Sequence, residues 1–287
     1  MATLLVLLLA VVGLVCAGLL LDPGTYDFEL TTPDQRVREY TLHVPLLYNS
    51  TAAVPLVFDN HGFNSNAVQQ AFFTGYRDVA DAHTFAVVHP SGVGDSWNAA
   101  TCCGQAQEER IDDVLFFRMM VDDVAAKISI DRARVFSTGM SNGAFMSHRL
   151  GMEADDVFNA IGPVAGTVPY FVLPPRRPVG VYHIHGLDDP LVPYEGNLWA
   201  IGVEESMLYW EENNGCTSER QVTDNPDADT VCETWTECPD RALTLCLHPG
   251  RHVIPEWTAA KTWEFFAKQA PLNLTNTPLT TATSSQE

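Results

Sequence analysis

Ser141 lies in Gly139-Met140-Ser141-Asn142-Gly143, a G-x-S-x-G pentapeptide between a short apolar run, Val135-Phe136, and a stretch of helical pattern. A serine placed so stands on a tight strand-to-helix turn with its hydroxyl clear of the sheet edge. The flanking glycines let neighbouring backbone approach without a Cβ clash. The chemistry open to it is nucleophilic attack on a carbonyl carbon. With glycine and serine each at roughly 7% of residues, a chain this long carries the pentapeptide by chance about one time in ten, so the motif needs partners. A hydroxyl is a poor nucleophile at its own pKa; it requires a base within hydrogen-bond reach and a group to hold that base. Two downstream loops offer these. His185-Gly-Leu-Asp-Asp-Pro-Leu-Val-Pro-Tyr194 follows one apolar strand pattern and holds Asp188 and Asp189, and Pro249-Gly-Arg-His-Val-Ile-Pro-Glu-Trp257 follows another and holds His252.

Strands must carry those loops. Runs of β-type residues alternate with helical patterns, which predicts an α/β fold: a mostly parallel sheet with helices on both faces in a single domain. Val37 to Val44 alternates and reads as an early edge strand, and Leu56 to Phe58 as a buried strand ending in Asp59-Asn60-His61-Gly62. Asn66 to His83 reads as one amphipathic helix, and Thr84 to His89 as the next strand, stopped by Pro90-Ser91-Gly92. Ile111, Val114, Leu115, Met119 and Val124 recur at helical spacing over Ile111 to Ile128. Asp112 and Asp113, at the start of that helix, are accounted for by capping and the helix dipole. The strand and helix around Ser141 follow, then strands over Ala160 to Val164 and Val179 to Ile184. After Gly196 a helix is expected to about Asn213, burying Trp199, Met207, Leu208 and Trp210. Thr230 to Thr236 should pair with Ala242 to Leu247 as a hairpin, and Trp257 to Lys268 should close the domain as a helix. No internal repeat is visible.

The first charged side chain is Asp22. The preceding Leu, Val and Ala-rich segment ends in small residues at Val15-Cys16-Ala17, so residues 1–17 read as a secretory signal peptide. An uncleaved anchor competes, because Leu4 to Leu21 is just long enough to span a bilayer. Residues 18–270 then form the catalytic domain, and the Thr, Ser, Pro and Asn-rich stretch 271–287 reads as a disordered tail. Loss of Cys16 leaves Cys102, Cys103, Cys216, Cys232, Cys238 and Cys246, an even number that suits up to three disulfides in an oxidising, extracellular compartment. Their spacing lacks the paired CxxC blocks of a structural zinc site. Four of them fall in 214–249, expected to be a disulfide-tied insertion before the His252 loop; the pairing is left open among 15 connectivities. Asn49 and Asn273 begin glycosylation sequons. The formal charge of −20 argues against nucleic acid or anionic membrane as partner and is unhelpful for acidic polymers, whereas a neutral ester or a hemicellulose is acceptable. Oligomeric state is not legible.

The motifs together resemble secreted esterases of the polyhydroxybutyrate depolymerase and feruloyl esterase type, carbohydrate esterase family 1 included. The resemblance runs from about Thr25 to Lys268. It rests on Asn60-His61-Gly62-Phe63 after an early strand, on Ser96-Trp97-Asn98 with Cys102-Cys103-Gly104 and Asp112-Asp113, on the Gly139–Gly143 elbow, and on an H-G-x-x-D-x-x-V-P-Y acid loop met by His185, Gly186, Asp189, Val192, Pro193 and Tyr194. In α/β hydrolases the order along the chain is serine, acid, histidine, as here. The resemblance implies Ser141 as nucleophile, His252 as base and Asp189, rather than Asp188, as the acid. The Asn142 amide follows the nucleophile as an oxyanion donor, and the resemblance adds the Phe63 amide. It implies no metal and no organic cofactor. One departure is Ile254, where the family's histidine segment carries tryptophan, in a position to reshape the pocket beside His252. Trp97 is a candidate for stacking on an aromatic acyl group or sugar, but loop or core packing is its preferred reading. His61 and His185 read as residues that orient loops. The function implied is hydrolysis of carboxylic esters on feruloylated or acetylated polysaccharide, or of a polyhydroxyalkanoate. A serine peptidase of related fold and a non-catalytic binding protein are the alternatives.

Overall fold

A computed structural model describes residues 20–217, 219–239 and 241–272. The strands are β1 (Gly24–Thr31), β2 (Val37–Val44), β3 (Val54–Asn60), β4 (Ala86–Pro90), β5 (Ile130–Met140), β6 (Ala160–Val164), β7 (Gly180–Gly186), β8 (Arg220–Asp224), β9 (Val231–Trp235) and β10 (Leu243–His248). The helices are α1 (Ala67–Thr74), α2 (Tyr76–His83), α3 (Gly104–Glu108), α4 (Asp113–Lys127), α5 (Asn142–Glu153), α6 (Val203–Asn214) and α7 (Thr258–Lys268). One sheet runs β1-β2-β4-β3-β5-β6-β7-β10-β9-β8. Its centre, from β4 to β10, is parallel, and β1, β2, β9 and β8 add antiparallel pairs at the two sides.

Burial explains that division. Every residue of β3, β4, β6 and β7 is buried, as strands covered on both faces must be, and apolar residues dominate them except in β7, which carries His183 and His185. Neighbours in sequence then serve opposite faces. Phe58 and Val88 pack with Phe117 and Met146 beneath α4 and α5, whereas Val57, Val87 and Phe136 pack with Tyr76, Trp263 and Phe266 beneath α2 and α7. A third cluster under α6 gathers Met207 and Trp210 with Val181, Leu243 and Leu245.

Several sequence expectations are corrected. The edge strand is β1, not Val37–Val44: β1 alternates between half-buried and exposed positions and pairs with β2 along its length. The expected helix 66–83 is two helices, because Gly75 at φ 68° closes α1 in the left-handed region and α2 restarts beyond it. The helix after Gly196 begins only at Val203, since Asn197 Oδ1 accepts from the Trp199 and Ala200 amides and folds that segment into a turn. Trp199 therefore sits on a loop, 41% exposed, and Leu208 is 52% exposed, leaving Met207 and Trp210 as the buried residues. Strand β8 and helix α3 are additional. Section 214–249 includes β10, which is a strand of the parallel core beside β7. Of the expected tail 271–287, Leu272 is buried and its amide donates to the Ala133 carbonyl, and 273–287 lie outside the described residues.

The six cysteines pair as Cys102–Cys103, Cys216–Cys238 and Cys232–Cys246. Cys232 and Cys246 stand directly opposite in the β9–β10 register, so that bridge cross-links adjacent strands. Asn49 is exposed; Asn273, Cys16 and the expected leader lie outside the described residues. Among the described residues no helix is long and apolar enough to cross a membrane.

Candidate active site

Strand β5 delivers Ser141 at φ 55° and ψ −119°, a conformation that side-chain-bearing residues rarely adopt. The surroundings enforce it. The Ser141 amide donates to the Val164 carbonyl of β6 at 2.9 Å. A Cβ on Gly139 would lie 2.6 Å from the Asn60 carbonyl oxygen, and one on Gly143 only 2.2 Å from the same atom, so both glycines of the pentapeptide are needed for β3 to pass under the turn. Asn60 Nδ2 donates to Ser137 Oγ and Ser147 Oγ at 2.9 and 3.1 Å, tying β3, β5 and α5 together below the serine.

The loop after β3 crosses directly over the turn: a Cβ on Gly62 would lie 3.5 Å from Ser141 Cβ. Phe63 follows. Among the described residues neither the Phe63 nor the Asn142 amide donates to a protein acceptor, and Asn142, first residue of α5, has no helical partner to donate to. The Asn142 side chain is fixed between the Trp97 amide (2.6 Å) and carbonyl (3.0 Å), with Cys102 Sγ at 3.5 Å.

The acid and histidine loops follow β7 and β10, adjacent parallel strands, and stay zipped beyond them through Leu187 N to His248 O and Asp188 N to Gly250 O. His252 Nδ1 and Asp189 Oδ2 are 2.7 Å apart. Asp189 Oδ1 accepts from the Leu191 and Val192 amides at 2.8 and 2.9 Å. Burial alone would push the Asp189 carboxyl up, but the hydrogen bonds from His252, Val192 and Leu191 hold it below the ordinary carboxylate value. Asp188 is exposed and has no such role. With Nδ1 of His252 engaged, Nε2 is the nitrogen left for a hydroxyl; among the described residues Ser141 Oγ makes no hydrogen bond.

His61 and His185 each have both ring nitrogens occupied. His61 Nε2 accepts from the Gly92 amide and Nδ1 meets the Gly62 carbonyl, while His185 Nε2 meets the Val192 carbonyl at 2.8 Å. Burial lowers both pKa values. They fasten loops, as the sequence suggested. Trp97 takes its packing reading and not the stacking one: it is fully buried, donates Nε1–H to the His61 carbonyl and packs against Phe117, so no ring face meets substrate. Capping accounts for Asp112, which accepts from the Leu115 amide, but not for Asp113. Asp113 is buried against Arg38 at 2.8 Å and accepts from the Asn98 amide, anchoring the Trp97 loop. The exposed indole is Trp199, 6.0 Å from the ring of Phe145 one turn into α5. Its flanking Gly196 and Gly202 were the sequence signal that a turn, not a helix, carries it.

Residues 39–171 match the family model described as Esterase PHB depolymerase. Feruloyl esterase B of Piromyces equi is 26% identical over 249 residues, covering 79% of this chain; the chain spans only 44% of that protein. Among solved structures, an acetyl xylan esterase from Aspergillus awamori superposes with a TM-score of 0.62 at 16% identity, over 84% of this chain and 99% of its own. The ferulic acid esterase AmCE1/Fae1A of Anaeromyces mucronatus gives 0.55 at 14% identity, over 86% and 90%. At those identities the two structures speak for the fold alone. The fold is that of the α/β hydrolases, and over the matched segment the chain is similar to carboxylic ester hydrolases of the Esterase PHB depolymerase and feruloyl esterase kind.

Proposed function

We propose that Ser141, His252 and Asp189 form the catalytic triad of a secreted esterase that works through an acyl-enzyme. The observation that carries this reading is the 2.7 Å contact of His252 Nδ1 with a buried carboxylate, on loops that leave the same parallel sheet as the strained serine. Asp189 accepts the Nδ1 proton, which leaves Nε2 as the basic nitrogen. Ser141 Oγ attacks the ester carbonyl as Nε2 takes its proton; the imidazolium, steadied by Asp189, then protonates the leaving alkoxide. Water repeats the sequence on the acyl-serine. Negative charge on the tetrahedral oxygen is met by the amides of Asn142 and Phe63, both without a protein acceptor and held by neighbouring loops.

The substrates are carboxylic esters on neutral polysaccharide, feruloyl or acetyl, or a polyhydroxyalkanoate polyester. Relatives named for feruloyl and acetyl xylan esterase activity support the first class, and the net charge of −20 is compatible with an uncharged polymer. Three disulfides and the leader pattern support export with cleavage after residue 17, leaving a domain over 18–270. The test is Ser141→Ala: a folded protein, with turnover of p-nitrophenyl acetate falling by roughly six orders of magnitude toward the uncatalysed rate. Retained activity would falsify the assignment. Turnover of methyl ferulate, acetylated xylan and a hydroxybutyrate oligomer on one preparation then ranks the substrate classes.

A further inference from the structure

Behind the acid loop, the structure buries three histidines that the chemistry above does not use. His183 and His185 alternate on β7, so both point to the same face of the sheet, and His148 faces them from α5. All three are fully buried. Ring centroids stand 5.5 Å apart for His148–His183 and 5.4 Å for His183–His185. Burial is the leading cause that lowers each pKa, to about 3 for His148, so the three are neutral in neutral solution.

Neutral rings have one donor and one acceptor nitrogen each, and the surrounding groups decide which is which. Trp210 Nε1–H can only donate, and it lies 3.0 Å from His148 Nδ1, so His148 carries its proton on Nε2, near the Gly166 backbone but outside hydrogen-bond geometry. The Val192 carbonyl can only accept, and it lies 2.8 Å from His185 Nε2, so His185 carries its proton on Nε2. His185 Nδ1 is therefore an acceptor, and the donor 3.2 Å away is His183 Nε2–H. His183 Nδ1 is left without a hydrogen-bond partner. The order is His183 Nε2–H to His185 Nδ1, His185 Nε2–H to the Val192 carbonyl, and Val192 N–H to Asp189 Oδ1. His185 Nε2 also stands 3.7 Å from Asp189 Oδ2, the oxygen that meets His252.

We propose that His183 is a positioning residue for acyl transfer: by donating to His185 Nδ1 it fixes the tautomer that holds the Val192 segment, and through it Asp189, in place. An imidazole with one bare nitrogen in the middle of a buried strand is costly, and an aliphatic residue would pack there more easily. What the imidazole supplies is a single N–H aimed at His185. Without it, the Nε2–H form of His185 has an unsatisfied Nδ1, and the Nδ1–H form sets two lone pairs against each other at the Val192 carbonyl. Either outcome loosens the backbone that supplies an amide to the proposed triad acid.

The inference rests on the triad reading, and its test separates the two. His183→Leu removes the donor at similar volume, and His183→Gln keeps an N–H at the same reach. In the full chain, kcat for p-nitrophenyl acetate should fall roughly tenfold or more in His183→Leu, with KM within about twofold of the parent, because a group displaced from productive geometry costs rate rather than binding. His183→Gln should recover most of the loss. Ring ¹⁵N spectra of the parent should show His185 protonated at Nε2, and those of His183→Leu should show that assignment lost or mixed. Equal losses in both variants would point to packing and overturn the proposal. So would parental kcat in His183→Leu, or a parent whose His185 is protonated at Nδ1. That last measurement stands even if His183→Leu does not fold. An active Ser141→Ala protein would remove the triad reading itself, whatever the histidines do.

Discussion

Asp189 is the residue on which burial and chemistry meet. Its carboxylate is enclosed, yet three hydrogen bonds outweigh the burial and keep its pKa below the ordinary value of 3.8. A depressed folded-state pKa contributes stability above the unfolded value, and that contribution is lost as pH falls through the lowered one. Asp189→Asn should therefore remove one part of the acid-side loss: urea unfolding of the variant should fall off less steeply than the parent as pH drops below 3.8. Its kcat at neutral pH should drop by roughly four orders of magnitude, since an amide does not hold the required tautomer. An acid-stability profile parallel to the parent's would count against the carboxylate's role. The proposed triad, Ser141, Asp189 and His252, could be named from the sequence because each lies on a short motif with a mechanical reason for its spacing. Asp113 was misread because its burial and its partner Arg38, 75 residues away, are set by tertiary contacts.

The element that does most at the site is the segment between β7 and α6. It supplies Asp189 at its start and, ten residues on, presents Trp199 beside Phe145 of the helix that Ser141 begins. An indole held by the Asn197 turn, with its ring partly open to solvent, is suited to an aromatic acyl group. Trp199→Ala should lower kcat/KM for methyl ferulate several-fold, the range expected for one aromatic pair, and change p-nitrophenyl acetate turnover less. Equal effects on both esters would sink that role. Strand and helix types were readable from apolar runs and 3.6-residue spacing. Their ends were not, because Gly75 and the Asn197 side chain stop elements through local conformation that periodicity does not report.

At the scale of the molecule, a core in three clusters and three disulfides hold a strongly acidic chain together. Cys216–Cys238 and Cys232–Cys246 close loops with sequence separations of 22 and 14 residues, and loops of that size are each worth about 3 kcal/mol of stability. Cys102–Cys103 joins neighbours and closes almost no loop. Reduction should thus lower the thermal midpoint mainly through the β8–β10 side of the sheet. Thiol titration of the denatured, unreduced protein should find no free cysteine if the proposed leader is removed, whereas one thiol per chain would mean that Cys16, and with it the leader, is retained. Four or more would contradict the pairing.

Sequence alone offered the alternation of strand and helix, the chain order of the proposed serine, acid and histidine, and the six cysteines between 102 and 246, because each is written in local residue type and spacing. Only the tertiary structure decided which cysteines pair, which tryptophan is exposed, and that β10 lies beside β7 so that His252 meets Asp189 across 63 residues of chain. Those outcomes depend on which strands become neighbours, and sheet order is fixed by packing across the whole core rather than by any segment within it.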